Sequence, residues 1–122
     1  MSQSFLREHR LLNAADFSRV FKEPIKSSDA FFTVLARPCL AESALSRLGL
    51  AIAKKQLKRA VDRNRIKRLI REYFRTNVLS DPAFDYVVLT RAAVRNQTNE
   101  VLMLSLEKNF SRILKKHARH ET

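Results

Sequence analysis

The sequence predicts an α+β fold, a small two-layer α/β sandwich in which a mixed sheet of about four strands is packed by three helices. Three observations predict it. Apolar residues recur with a strand's period in some segments and with a helix's period in others. One helical segment lies between two strand-like ones, which suggests a crossover with parallel neighbours. The chain of 122 residues with 45% hydrophobic content is long enough for one core and short for two, so residues 1–122 read as a single domain.

Taken in order, Asn13 can cap a short helix in which Phe17, Val20 and Phe21 recur at helical spacing, and Pro24 stops it. Residues 25–29 read as a turn or short edge strand. Residues 31–37, rich in β-branched and aromatic side chains and ended by Pro38, read as a strand. In "RLGLAIA", residues 47–53, Leu48, Leu50 and Ile52 fall on one strand face and Gly49, Ala51 and Ala53 on the other. The large residues face the core and the small ones leave the second face open. Gly49, the single glycine, is either a packing feature, a bulge or bend, or a place where backbone or ligand approaches closely. The loop of residues 39–46 is expected to join these two strands as an antiparallel hairpin. Ser80, Asp81 and Pro82 make a turn, and "DYVVLT", residues 85–90, reads as a buried strand. A last helix starts at Thr98 or Asn99 and carries Leu102, Leu106, Phe110, Ile113 and Leu114 on one stripe, and its polar tail is expected to fray from about residue 117.

Twenty-four Lys and Arg against twelve Asp and Glu leave a formal charge of +12, which opposes compaction unless a polyanion sits nearby. The distribution is uneven. From Lys54 to Arg75 there are ten basic residues and two acidic ones, Asp62 and Glu72, so two thirds of the net charge lies in one segment. On a helix turning 100° per residue, Ile66, Leu69, Ile70, Tyr73 and Phe74 fall on one side, and Asn64, Lys67, Arg68, Arg71 and Arg75 on nearly the opposite side. The apolar stripe is wide enough to dock on a sheet, which makes the segment a built-in element with a cationic outer face. Arginine adds geometry to charge, because a guanidinium grips phosphate through two parallel hydrogen bonds and stacks on bases. Asn64 could read a base edge or ribose hydroxyl, or could brace the local backbone. A solvated face would mix signs, a membrane-surface helix is often appended whereas this one is embedded between strands, and a DNA-reading helix stays open as an alternative although no helix with a short turn precedes it. Binding to RNA is the reading that fits both composition and layout, with a ribosomal-type anchor among its forms.

No apolar stretch approaches the roughly twenty residues of a membrane span, and the first twelve residues lack the apolar run of a secretory signal. Cys39 is the single cysteine, so no intramolecular disulfide can form. A cytoplasmic protein without a membrane partner is therefore expected. The three histidines, His9, His117 and His120, stand near the chain ends, and with Cys39 they make a poor metal set. No carboxylate pair stands at a spacing suited to acid-base or metal chemistry, so no catalytic residue and no protein-bound metal are assigned.

The stretch "AKKQLKRAVDRNRIKRLIREYFR", residues 53–75, resembles the signature of the bacterial ribonuclease P protein component. That pattern is a Lys-Lys pair after a strand, then Ala-x-x-Arg-Asn-Arg-x-Lys-Arg and a further Arg. Here it reads Lys54, Lys55, Ala60, Arg63, Asn64, Arg65, Lys67, Arg68 and Arg71. The opening "RLLNAADFSRVF" is similar to the family's first helix, and the size and element order agree.

The resemblance implies a protein that assembles with a large catalytic RNA, the holoenzyme removing the 5′ leader of precursor tRNA by hydrolysis of one phosphodiester bond. It places the active site and its magnesium ions in the RNA, with no organic cofactor and no obligate protein partner. It implies a catalytic-RNA surface on the basic helix, Arg59, Arg63, Asn64, Arg65, Lys67, Arg68, Arg71 and Arg75. It also implies a cleft for the single-stranded leader, formed by Phe17, Phe21, Phe32, Lys54 and Lys55, where rings stack on bases and cations hold the backbone. From the residues alone, Phe17 and Phe21 read as ordinary core, since aromatic stripes at helical spacing usually pack. Finally, the resemblance implies a left-handed crossover around the basic helix, against the usual right-handed preference. The rival reading is a structural RNA-binding protein of ribosomal type, without a processing role.

Overall fold

A computed structural model describes residues 14–39, 45–78 and 83–121, with side chains described through Arg119. The Asn13 cap and the turn at residues 80–82 lie outside the described residues. Three helices, α1 (Ala14–Phe21), α2 (Ala60–Asn77) and α3 (Asn99–Glu121), pack on four strands, β1 (Ile25–Ser28), β2 (Phe32–Pro38), β3 (Arg47–Ala51) and β4 (Phe84–Thr90). The expected α+β sandwich with a mixed sheet is therefore present, and the strands lie in the order β1-β2-β4-β3.

The order corrects one expectation. β2 and β3 do not form a hairpin; β4 lies between them, antiparallel to β2 and parallel to β3. A central strand must be apolar on both faces, and β4 meets that condition. Phe84, Tyr86 and Val88 point to the α2–α3 side, while Val87 and Leu89 point to the α1 side. The chain leaves β3 through α2 and returns as β4 parallel to it, so the expected crossover connects neighbouring strands. β1 pairs antiparallel with β2 as a short edge strand.

The main core lies between the sheet and the α2–α3 pair. All five residues assigned to the α2 underside, Ile66, Leu69, Ile70, Tyr73 and Phe74, are buried. Phe110 links the two helices to the sheet, with ring centroids 5.3 Å from Tyr73 and 4.8 Å from Tyr86. A buried side chain of this size stabilises the fold by about 2 kcal/mol. α3 begins at a cap, the Thr98 hydroxyl accepting from Val101 N at 3.2 Å. It is also tied to the β1 side by polar contacts. Ser105 donates to Asp29 at 2.5 Å, and Ser27 donates to Asn109 at 2.7 Å. Asp29 in turn accepts from Phe31 N and Phe32 N, which closes the turn into β2.

α3 runs through Glu121, and at the start of the tail expected to fray His117 packs edge-on against Phe84 at 4.8 Å while Lys116 donates to the Lys26 carbonyl. β3 stops at Ala51, two residues short of the expected end.

Ile70 is fully buried and Arg68 is exposed on the opposite face of the same helix. Ile70→Ala is expected to cost about 3 to 4 kcal/mol in chemical denaturation, whereas Arg68→Ala should stay within about 0.5 kcal/mol of the parent. Equal losses would mean that the apolar underside does not hold α2.

Candidate nucleic-acid interface

Because the α2 underside is buried, its cations are carried outward on a rigid support. Asn64, Lys67, Arg68, Arg71 and Arg75 line one shallow concavity of about 280 Å³ together with Glu72. Asn64 and Arg68 are exposed, and neither their side chains nor that of Lys67 hydrogen-bond to another described residue. Arg75 is held by Glu72 across one turn, at 2.5 Å. Arg59 stands exposed at the helix N-cap, where no side chain caps the helix.

Arg63 and Arg65 are engaged inside the molecule. Arg63 donates to the carbonyls of Leu57 and Lys58 at 2.9 and 2.8 Å, closing the loop that leads into α2. Arg65 donates to Gln97 O at 2.6 Å and to Asn99 Oδ1 at 2.8 and 3.1 Å, fastening α2 to the start of α3. Two of the motif's cations thus brace backbone, while Asn64 between them stays open to solvent. The bracing role that the sequence allowed for Asn64 belongs to its neighbours.

The second face of the sheet carries α1. Val20 is buried with Leu35 and Val87, and Phe17, Ala51 and Leu89 pack around them. This short helix buries little apolar area, and an ionic cluster fixes its position. Asp85, on β4 at the end of this face, is 1% exposed. It accepts two hydrogen bonds from Arg47 of β3, at 2.9 and 2.8 Å, and another from Arg19 of α1. Arg47 also reaches Asp16 of α1 at 3.4 Å. Arg37 of β2 donates to the carbonyls of Arg19 and Lys22 at 3.1 and 2.9 Å, which satisfies the helix C-terminus. Glu23 then turns the chain away with φ 59°, the left-handed conformation that commonly ends a helix.

Burial alone would raise the Asp85 carboxyl, but the guanidinium hydrogen bonds from Arg47 and Arg19 outweigh it and hold it below the ordinary value. The nearby Cys39 thiol donates to Asp85 at 3.4 Å, and burial together with the Asp85 charge pushes its pKa up to about 11. It therefore stays protonated and unreactive at neutral pH.

Of the expected leader-contacting residues, Phe17 is half-buried on the α1 side and Phe21 is 47% exposed. Lys54 and Lys55 are exposed in the turn after β3. Phe32 is corrected: it is fully buried in the main core, on the sheet face opposite α1. Strand alternation puts Thr33 and Leu35 on the α1 side, and Phe31 also packs against the main core. Neither Phe31 nor Phe32 presents a ring to the α1 face.

Sequence reasoning missed the Arg19–Arg37–Arg47–Asp85 cluster. Its signal was a carboxylate opening an otherwise apolar strand in a strongly basic chain. Among the described residues, no group of three or more His, Cys, Asp or Glu could hold a metal ion, so these residues do not fit a metal site. No described helix is long and apolar enough to cross a membrane.

A family model described as Ribonuclease P matches residues 5–115. The ribonuclease P protein component of Methylococcus capsulatus is 46% identical over 106 residues, which cover 87% of this chain and 81% of that protein. That of Aliivibrio fischeri is 43% identical over 115 residues, covering 93% and 95%. A solved RNase P protein of Staphylococcus aureus matches with a TM-score of 0.74 at 33% identity, over 84% of this chain and 93% of that one. The RNase P protein from Thermotoga maritima matches at 0.70 and 31% identity, over 81% and 92%.

Since the folded state holds the Asp85 carboxyl below the ordinary 3.8, its contribution is present above that value and is lost as pH falls through the folded one. Denaturation curves measured from pH 6 down to about 2.5 should show stability falling in the acid limb. Asp85→Asn should be less stable by about 3 kcal/mol at neutral pH and show a shallower fall. A variant with the parent's stability and pH profile would remove the carboxylate from its anchoring role.

Proposed function

The chain belongs to the ribonuclease P protein family, and on that premise we propose that it binds the catalytic RNA along α2 and guides the single-stranded leader of precursor tRNA across the α1 face. The family's work is tRNA processing, and its members are the protein components of a ribonucleoprotein endonuclease. The four-stranded mixed sheet with three helices matches the RNase P protein structures. One observation carries the RNA-binding reading: the outer face of α2, cationic except for Glu72 beside Arg75, is fastened to the body by five buried side chains, so its cations stand on a fixed backbone. A rigid cationic face releases counterions from phosphates without first losing chain entropy.

In this reading Lys67, Arg68, Arg71 and Arg75 neutralise phosphates of the catalytic RNA, and Asn64 supplies both donor and acceptor to a base edge or ribose hydroxyl. Arg59, Arg63 and Arg65 hold the same end of the helix, the latter two through their braces, with guanidinium edges left to face the RNA. On the other side of the sheet, Phe17 and Phe21 offer rings to unpaired bases while Lys54 and Lys55 hold the backbone. Phe32 takes no part, being buried. Phosphodiester hydrolysis and its magnesium ions are assigned to the RNA. This chain contributes affinity, orientation and tolerance of low magnesium, in the cytoplasm.

Adding the purified protein to the catalytic RNA at low magnesium should restore leader cleavage; no change would favour a structural RNA-binding protein without a processing role. Arg68→Ala with Arg71→Ala should weaken association with the catalytic RNA and lower the log–log salt slope by about 1.5. An unaltered slope in filter binding would remove phosphate contact from these residues. Phe17→Leu keeps an apolar contact with Leu35 and Val87 and so should leave catalytic-RNA affinity unchanged. It should reduce the preference for leader-bearing over mature tRNA several-fold, roughly the 1 kcal/mol or more that stacking on one base contributes. Equal weakening for both substrates would mean that Phe17 only packs.

A further inference from the structure

The formal charge of +12 has two sources. Lys54 to Arg75 accounts for an excess of eight. From Glu107 to Arg119, five basic residues against one acidic one give four more, and the rest of the chain balances to zero. The second source is the C-terminal half of α3. Around that helix Lys108, Arg112, Lys115 and Arg119 fall within about 60° of one another and form a stripe about 16 Å long. All four are exposed, as is Ser111 between them. The side chains of Lys108, Arg112 and Lys115 make no hydrogen bond or ion pair with any described residue, and they line a shallow trough of about 510 Å³ with Ser111, Glu107 and Leu104. Beside the stripe, Lys116 reaches across to the Lys26 carbonyl of edge strand β1.

Isolated-helix physics does not account for this arrangement. Lys108 and Arg112, Arg112 and Lys115, Arg112 and Lys116, and Lys115 and Arg119 stand three or four residues apart, so each pair repels. The helix dipole favours cations only in the last turn, which covers Arg119 but not Lys108 or Arg112. A lipid surface fits poorly, because the apolar stripe that would insert, Leu102, Leu106, Phe110 and Ile113, is already buried against the sheet.

The two cationic surfaces are also separate. Glu100 and Glu107, with Tyr73, Met103 and Leu104, rim a groove between α2 and α3, and Glu72 stands on the neighbouring edge of α2. One strand of nucleic acid running from α2 to α3 would cross those carboxylates.

We infer that the α3 stripe is a second phosphate-binding surface, which takes a backbone segment of the catalytic RNA distinct from the segment lying on α2. The inference rests on the RNA-binding reading of α2 and extends it: two surfaces on one rigid body engage one polyanion, so contact at either raises the effective concentration of phosphate at the other.

The test uses the full-length protein carrying Lys108→Gln, Arg112→Gln and Lys115→Gln together. All three side chains are exposed, and far-UV circular dichroism checks that the fold is kept. Association with the catalytic RNA alone is measured against salt beside Arg68→Ala/Arg71→Ala, and hydroxyl-radical footprinting maps the protected backbone. The triple variant should bind at least tenfold more weakly near physiological salt, with a log–log slope shallower by about 2, and should lose one block of protection while the α2 block persists. Parental affinity, slope and footprint in the triple variant, with loss only in the α2 variant, would overturn the second surface and leave the α2 reading standing. Parental behaviour in both variants would remove the α2 reading as well. If the triple variant binds the catalytic RNA normally and weakens only precursor tRNA on the assembled particle, the stripe contacts substrate and the inference is also overturned.

Discussion

Asp85 sits on a strand whose neighbours Phe84, Tyr86, Val87 and Val88 are apolar and buried, and its carboxylate is nearly as inaccessible as they are. A charge in that position is tolerable only if it is matched, and Arg47 from the adjacent strand and Arg19 from α1 both converge on it. The other face of the same strand receives the α2–α3 pair through Phe84, Tyr86 and Val88. β4 therefore places the helices by two different interactions, ionic on one face and apolar on the other. The consequence is mechanical. α2 and α3 are held by a large area of side-chain packing, whereas α1 is held at one end by directional hydrogen bonds and along its length by a few apolar contacts.

Charge placement shows a tension between stability and binding. Arg59 and Arg63 stand at the N-cap and in the first turn of α2, where the helix dipole makes a cation unfavourable by about 0.3 to 1 kcal/mol, and Asp62 in the same turn offsets part of it. Arg63 recovers more through its hydrogen bonds to Leu57 O and Lys58 O. Lys67 and Arg68, further along the helix, have no side-chain tie within the described residues. A cationic cluster of this kind, on a helix secured by packing and by the Arg65 hydrogen bonds, fits a surface whose partner supplies the missing anions.

Periodicity made the α2 faces legible residue by residue, because a helix's faces depend only on local spacing and the stripe was unbroken. The apolar stripe of α3 was legible for the same reason, and so was the buried character of β4. Pairing was less so. Residues 31–37 and 47–53 are consecutive strands joined by a short loop, which locally resembles a hairpin; that β4 enters between them depends on contacts some fifty residues apart in the chain. Phe32 was placed by its residue type alone, and which strand face it takes depends on register; the alternation that buries Phe32, Val34 and Ala36 in the main core puts Leu35 on the α1 side. The Asp85 cluster joins residues 19, 37, 47 and 85, no two of which are close enough in sequence to produce a pattern. The contact of His117 on α3 with Phe84 likewise joins residues some thirty positions apart.

The Arg-Asn-Arg motif therefore combines two kinds of residue that composition cannot separate. Arg63 closes the loop carrying Leu57, which is buried in the main core, and Arg65 fixes the angle between α2 and the start of α3. Removing either would loosen the support of the ridge before it removed any phosphate contact, so lost affinity would arise partly from a less ordered helix end. Lys67 and Arg68 lack such internal ties, and lost affinity at those positions reports on the partner alone. The distinction also explains the choice of arginine at 63 and 65. One guanidinium reaches two acceptors at once, Leu57 O with Lys58 O, or Gln97 O with Asn99 Oδ1, and its planar fork holds both in fixed geometry, whereas a lysine ammonium would bring a point charge without the fork.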